Sequence, residues 1–134
     1  MESNLLFILD DDVFYSQLIF AHLGKYKLEV EMYYNSSTCL KNLFRKPFLI
    51  LLDYNLNEAD TGITGKEIFR EIKREYPETA IAIISNQDSG QVVLELIQTG
   101  VRHYVEKDEY FFANLDKIIE TQMAMIDPKG KENF

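Results

Sequence analysis

The chain has 134 residues, 46% of them hydrophobic and 27% charged, with few glycines and prolines; that is one domain with a real core and no room for a second. Its 22 acidic against 14 basic residues give a formal charge of -8, which disfavours direct binding to nucleic acid or to an anionic membrane and suits cations and basic partner surfaces. Cys39 is the single cysteine, Met1 to Asp10 has no leader-like character, and no apolar run approaches the roughly 20 residues of a bilayer span, so a reducing cytoplasm is expected.

In chain order, Leu5 to Leu9 is a continuous apolar run ending in acids, and Val13 to Leu23 sets Val13, Phe14, Leu18, Ile19 and Leu23 near helical spacing. Leu28 to Tyr33 alternates like a half-buried edge strand. Ser36 to Arg45 carries Cys39, Leu40, Leu43 and Phe44 as a helical stripe that Pro47 closes. Phe48 to Leu52 is the most apolar run and too short for a helix, so it predicts a central strand buried on both faces.

A polar loop over 54–64 follows. Thr64 and Glu67 then have capping-box spacing, opening a helix with Ile68, Phe69, Ile72 and Tyr76 on one face. Ala80 to Ile84 predicts a fourth strand. Ser89 is placed to cap a fourth helix through Val92, Val93, Leu96 and Ile97, with Gly100 as its stop. Val101 to Val105 predicts a fifth strand, and Tyr110 to Met125 a fifth helix with Phe111, Leu115, Ile118 and Ile119 on its stripe. This is a domain over 1–126 with a loose tail over 127–134. Five alternations of strand and helix imply an α/β fold, a doubly wound five-stranded parallel sheet in the order 2-1-3-4-5.

In such a sheet the ligand site lies beyond the carboxyl ends of the strands, where the strand order reverses. Asp10, Asp11 and Asp12 end the first strand, Asp53 the third and Ser85 the fourth, with Lys107 just past the fifth. Crowded carboxylates repel unless a cation offsets them, and an all-oxygen donor set without nearby His or Cys suits Mg2+. His22 and His103 are assigned solvated or structural roles. Asp also favours helix N-termini, and for Asp12 that capping role is the preferred reading. Taken singly, Ser85 reads equally well as a turn residue and Lys107 as a surface lysine.

These residues in this order resemble the receiver domain of bacterial two-component response regulators, with the match running from about Asn4 to Met125. Leu6 to Asp12 resembles the first strand with its acidic pair, and Leu49 to Asp53 the strand ending in the phosphorylated aspartate. Ser85 falls at the family's switch Ser/Thr, and Gly100 to Lys107 resembles the stretch with the switch aromatic, here Tyr104, and the lysine. The resemblance implies a flavodoxin-like (βα)5 fold. It also implies Mg2+ held by Asp10, Asp11, Asp53 and the Asn55 carbonyl, with Asp53 as phospho-acceptor assisted by Lys107 and Ser85. The chain would then be a stand-alone response regulator that promotes only its own phosphorylation and dephosphorylation. A sensor histidine kinase or histidine phosphotransfer protein would act upstream of it, and a downstream protein partner would receive the output.

Two features depart from the family pattern: Leu56-Asn57 replaces an apolar-Pro pair in a lengthened loop before Gly65, and Asp108 stands where many members have Pro. Asp10 and Asp12 also have the Asp-x-Asp spacing of a haloacid-dehalogenase-type phosphohydrolase. However, Phe14 replaces that family's usual Thr or Val, a cap has no room, and Asp53 would lack a role. A receiver-like binding module would keep the fold and drop the chemistry, although every acceptor-site residue type is present. Dinucleotide binding fails because no glycine-rich turn follows the first strand.

Overall fold

A computed structural model describes residues 4–56, 62–86 and 90–126, with side chains of the fourth helix from residue 93. The elements alternate throughout: β1 (Leu5–Leu9), α1 (Val13–His22), β2 (Glu29–Tyr33), α2 (Ser36–Lys41), β3 (Leu49–Asp53), α3 (Gly65–Glu75), β4 (Ala80–Ser85), α4 (Gly90–Gln98), β5 (His103–Glu106) and α5 (Phe111–Ile126). All strand pairs are parallel, in the order β2-β1-β3-β4-β5. The sheet therefore has its switch point between β1 and β3, as expected from the alternation.

Side chains that alternate along each central strand divide the core into two layers. Phe7, Leu9, Ile50, Leu52, Ile81 and Ile83 face Cys39, Ile68, Phe69, Ile72 and Leu96 of α2, α3 and α4. Leu6, Ile8, Leu49, Leu51, Ala82 and Ile84 face Ile19 of α1 and Phe111, Leu115 and Ile119 of α5. Covered on both faces, β1 and β3 have no polar residue until their carboxyl ends. The acids there mark where the strands leave the core.

Several elements differ from the sequence expectation, each for a local reason. The predicted inward stripe of α1 holds only in part: Ile19 and Leu23 are buried as expected, together with Ser16, whereas Val13, Phe14 and Leu18 are exposed. Apolar residues surround this helix, so periodicity alone could not select the inner side. The predicted helix over Ser36 to Arg45 breaks at Asn42, whose backbone leaves helical geometry while its side-chain amide donates to Thr38 O at 2.8 Å. A separate 3-10 turn follows over Leu43–Arg45, leaving Phe44 exposed.

The fifth strand starts at His103 rather than Val101, because the preceding residues close α4. Gly100, at φ 94°, donates to Ile97 O and Val101 to Leu96 O, both at 3.1 Å. Gly100 thus takes the predicted stop position. Thr64 caps α3 as read from sequence, accepting from Glu67 N. The expected cap Ser89, the middle of the lengthened loop (57–61) and the tail over 127–134 lie outside the described residues.

Candidate functional site: an acidic mouth at the switch point

Asp10 leaves β1 fully buried, and its two oxygens are both engaged. Oδ1 accepts from Asp12 N and Oδ2 from Lys107 Nζ, each at 2.9 Å. The Lys107 side chain is itself only 5% exposed. It lies 4.5 Å from the centroid of the Tyr15 ring, so a carboxylate and an aromatic face share its charge. Its backbone N–H donates to Ser85 O at 2.8 Å, which fixes the end of β5 to the end of β4.

Asp53 ends β3 at 3% exposure, with its Oδ1 accepting from Asn55 N at 2.9 Å. Asp10, Asp11 and Asp53 each present a carboxylate oxygen within 4.8 Å of the others. Burial, followed by the charge of Asp10, pushes the Asp53 carboxyl up to about 7, although Lys107 and the Asn55 N–H pull the other way. Burial and Asp10 also raise Asp11, which sits at the exposed lip. Lys107 is the one basic side chain that pairs with this cluster among the described residues, so the mouth retains excess negative charge.

That donor set fits a hard divalent cation: three carboxylate oxygens, no sulfur or imidazole, and protonation made easier by crowding. Asp12 stands apart from the cluster, as its side chain accepts from Tyr15 N at 3.0 Å and caps α1. The Asp12 carboxylate is thus committed to a helix end, whereas Asp10, although paired with Lys107, still presents an oxygen to the cluster.

The structure also brings Ser85 and Asn55 to this mouth. Ser85 Oγ donates to Asn55 Oδ1 at 3.3 Å, and Asn86 N donates to the same oxygen at 3.0 Å. Sequence reading gave Asn55 only a carbonyl role; its amide oxygen in fact ties the β3 loop to the end of β4. Tyr104 is half-buried on β5 and packs against the α2–α3–α4 layer. Two positions escaped the sequence reading. Tyr15 could have been found only from its distance to Lys107. At Gly65 an added Cβ would lie 2.4 Å from Asp53 O and 2.8 Å from Tyr54 O, so α3 begins pressed against the backbone of the acidic strand end.

Fold and site together define a class: doubly wound α/β proteins with an acidic pocket at the topological switch point. Within it, the chain belongs to the response regulator receiver domain family, whose model matches residues 6–120. It is similar to response regulator protein PilR of Pseudomonas aeruginosa, 23% identical over 133 residues that make up 98% of this chain and 29% of that protein. It is also similar to an NtrX-like response regulator of Rickettsia typhi, 31% identical over 113 residues, 84% of this chain and 22% of the other. The chain therefore spans about a quarter of the length of these relatives.

Among solved structures, the signal receiver domain of a LuxO repressor protein from Vibrio parahaemolyticus superposes with a TM-score of 0.80 at 17% identity, covering 95% of both chains. The Vibrio cholerae chemotaxis protein CheY4 gives 0.75 at 19% identity, covering 89% of this chain and 98% of that one. These two likenesses show the fold. Receiver domains as a family interact with histidine kinases and downstream effectors.

Proposed function

We propose that the chain accepts a phosphoryl group on Asp53, with Mg2+, and signals through altered protein-protein contacts. The observation that carries this reading is the Asp53 carboxylate, 3% exposed, crowded by Asp10 and Asp11 beside the Asp10–Lys107 pair. An Asp53 oxygen attacks phosphorus. The bond from phosphorus to the imidazole nitrogen of a phosphohistidine, or to the acyl oxygen of a small donor, breaks, and the leaving group keeps the bonding pair. Bound Mg2+ would be held by Asp10, Asp11, Asp53 and the Asn55 carbonyl, and would supply charge neutralisation for the phosphoryl oxygens.

The chain's own residues do the rest. Lys107 brings a desolvated ammonium to the same mouth, and Asn55 N–H holds one Asp53 oxygen so that the other is presented. Ser85 Oγ, now directed to Asn55, would donate to a phosphoryl oxygen, and Tyr104 would respond by turning inward, altering the surface of β5 and its flanking helices. Turnover is confined to the chain's own phosphorylation and dephosphorylation. The donor is a sensor histidine kinase or a histidine phosphotransfer protein, the receiver of the signal is a downstream protein, and the setting is the cytoplasm.

Intact-mass measurement after acetyl phosphate and Mg2+ tests the reading. One phosphoryl group is expected on the parent and none on Asp53→Asn. Equal incorporation by the two proteins would move the acceptor elsewhere.

A further inference from the structure

At the opposite end of the sheet, a cleft of about 520 Å3 lies under the start of β4 and β5, within the size range of small-molecule sites. Three basic side chains line it: Lys73 from α3, Arg102 from the turn before β5, and His103 at the start of β5. In a chain of formal charge -8 this is a local reversal of sign. None of the ion pairs among the described residues involves Lys73 or Arg102. Glu78 also lines the cleft and forms no ion pair with either.

Two of the three basic groups are held in place by neutral partners. Lys73 Nζ donates to Thr79 O at 3.0 Å, and Gln122, almost fully buried, sets its Nε2 3.2 Å from His103 Nε2. The carbonyl fixes the Lys73 ammonium without cancelling its charge, and the Gln122 amide orients the His103 ring. Burial, then Lys73 and Arg102, lower the His103 imidazole below its ordinary value, and burial and Arg102 do the same to Lys73. The groups therefore sense one another across the cleft, and an anion would relieve that repulsion. Pro77 and Met125, backed by the buried Phe69 and Ile81, give the mixed remaining wall an apolar strip against which a compact organic body can lie.

We infer that this basal cleft binds a small organic oxyanion, a phosphate or a carboxylate carried on a compact apolar group, held by Lys73, Arg102 and His103. It sits at the amino ends of β4 and β5, while Asp53, Ser85 and Lys107 sit at the carboxyl ends, so both sites can be filled at once. Because His103 and Gln122 join β5 to α5, occupancy tightens that pair of elements.

The test is a titration of the 15N-labelled chain, in EDTA to keep the acidic mouth free of metal, with phenyl phosphate, benzoate and uncharged benzyl alcohol. Saturable shifts are expected at Lys73, Thr79, Thr99 to His103 and Gln122 with one or both anions, and not with the alcohol. Comparing the two anions distinguishes a phosphate from a carboxylate site. Lys73→Gln or Arg102→Gln should weaken binding about tenfold, the loss of one charge-assisted hydrogen bond, and Lys73→Arg should retain it. The dispersion of each variant's spectrum reports that it is folded. Shifts confined to the Asp10 and Asp53 region, equal binding of the alcohol, or affinity unchanged in both glutamine variants would overturn the assignment.

Discussion

Asp53 and Glu31 are carboxylates on strands of the same sheet, and their surroundings drive them in opposite directions. Asp53, in a buried corner with Asp10, is pushed up to about 7. Glu31, on edge strand β2, is pulled down to about 2, chiefly by its hydrogen bonds from Arg45. Arg45 reaches across from the turn after α2 and pairs with Glu31 and, at 3.1 Å, with Glu29. Tyr33 donates to the same Glu31 carboxylate at 2.7 Å. The edge carboxylate is satisfied by its own chain. The central one keeps an excess of acceptors over donors, which is how a fold stores affinity for a ligand instead of using it on itself.

The largest expected effect comes from supplying or removing what the central corner lacks. EDTA should abolish phosphoryl incorporation on Asp53 measured by intact mass, whereas undiminished labelling would show that the corner needs no cation. Mg2+ at a hundred times its dissociation constant should stabilise the parent by about 2.7 kcal/mol in thermal melts, and Asp11→Ala should lose most of that gain. Asp12→Ala should keep the gain in full, because its carboxylate is committed to Tyr15 N.

Next in size is Gly65→Ala. Its Cβ would meet the Asp53 carbonyl at 2.4 Å, so the acidic strand end or α3 must shift, at a cost of about 1 to 3 kcal/mol in denaturant unfolding. A neutral result would mean that the α3 start is free to move. Without Mg2+, Asp12→Ala should cost about 1 kcal/mol, the loss of a helix cap, read in the same unfolding experiment. An unchanged midpoint would show that the cap contributes nothing to α1.

The smallest effect belongs to the edge. Glu31→Gln should cost about 1 kcal/mol or less at pH 7, since both partners are close to one-third exposed and solvent screens the pair. Folding lowers the Glu31 value from 4.5 to about 2, so its contribution is present above the unfolded value and is lost as pH falls between them. The stability gap between parent and variant should therefore be flat from pH 7 to pH 5 and close toward pH 2. A gap that widens on acidification would reverse the sign of the comparison.

Much of this was readable from residues in a row. The runs Leu5 to Leu9 and Leu49 to Leu52 are apolar without interruption because both faces of their strands are covered, so the acids that end them mark where the strands leave the core. Gly100 and Thr64 were readable because their backbone and capping roles restrict residue type. Where two alternatives were locally equal, the sequence could not choose. Nothing in the order of α1 says which of its apolar sides faces inward, and nothing at Asn42 says that its amide will turn back on Thr38 and end the helix. The Asn55 amide and the Tyr15 ring act on residues brought close only by the fold, at distances that no spacing encodes.

The phase of α1 has a consequence for how this surface can vary. Ser16, Ile19 and the following Leu23 are the buried residues that commit the helix to the core, with Tyr15 and His22 packing against Phe111 and Phe112 of α5, whereas Val13, Phe14 and Leu18 are exposed and contribute little to holding the fold together. Exchanges at such positions ordinarily move stability by no more than about 0.5 kcal/mol. The acidic mouth lies one turn away, anchored through Asp10 and Lys107 rather than through these side chains. The outer side of the first helix is therefore a stretch of sequence that can be rewritten by mutation while the acidic mouth beside it stays fixed.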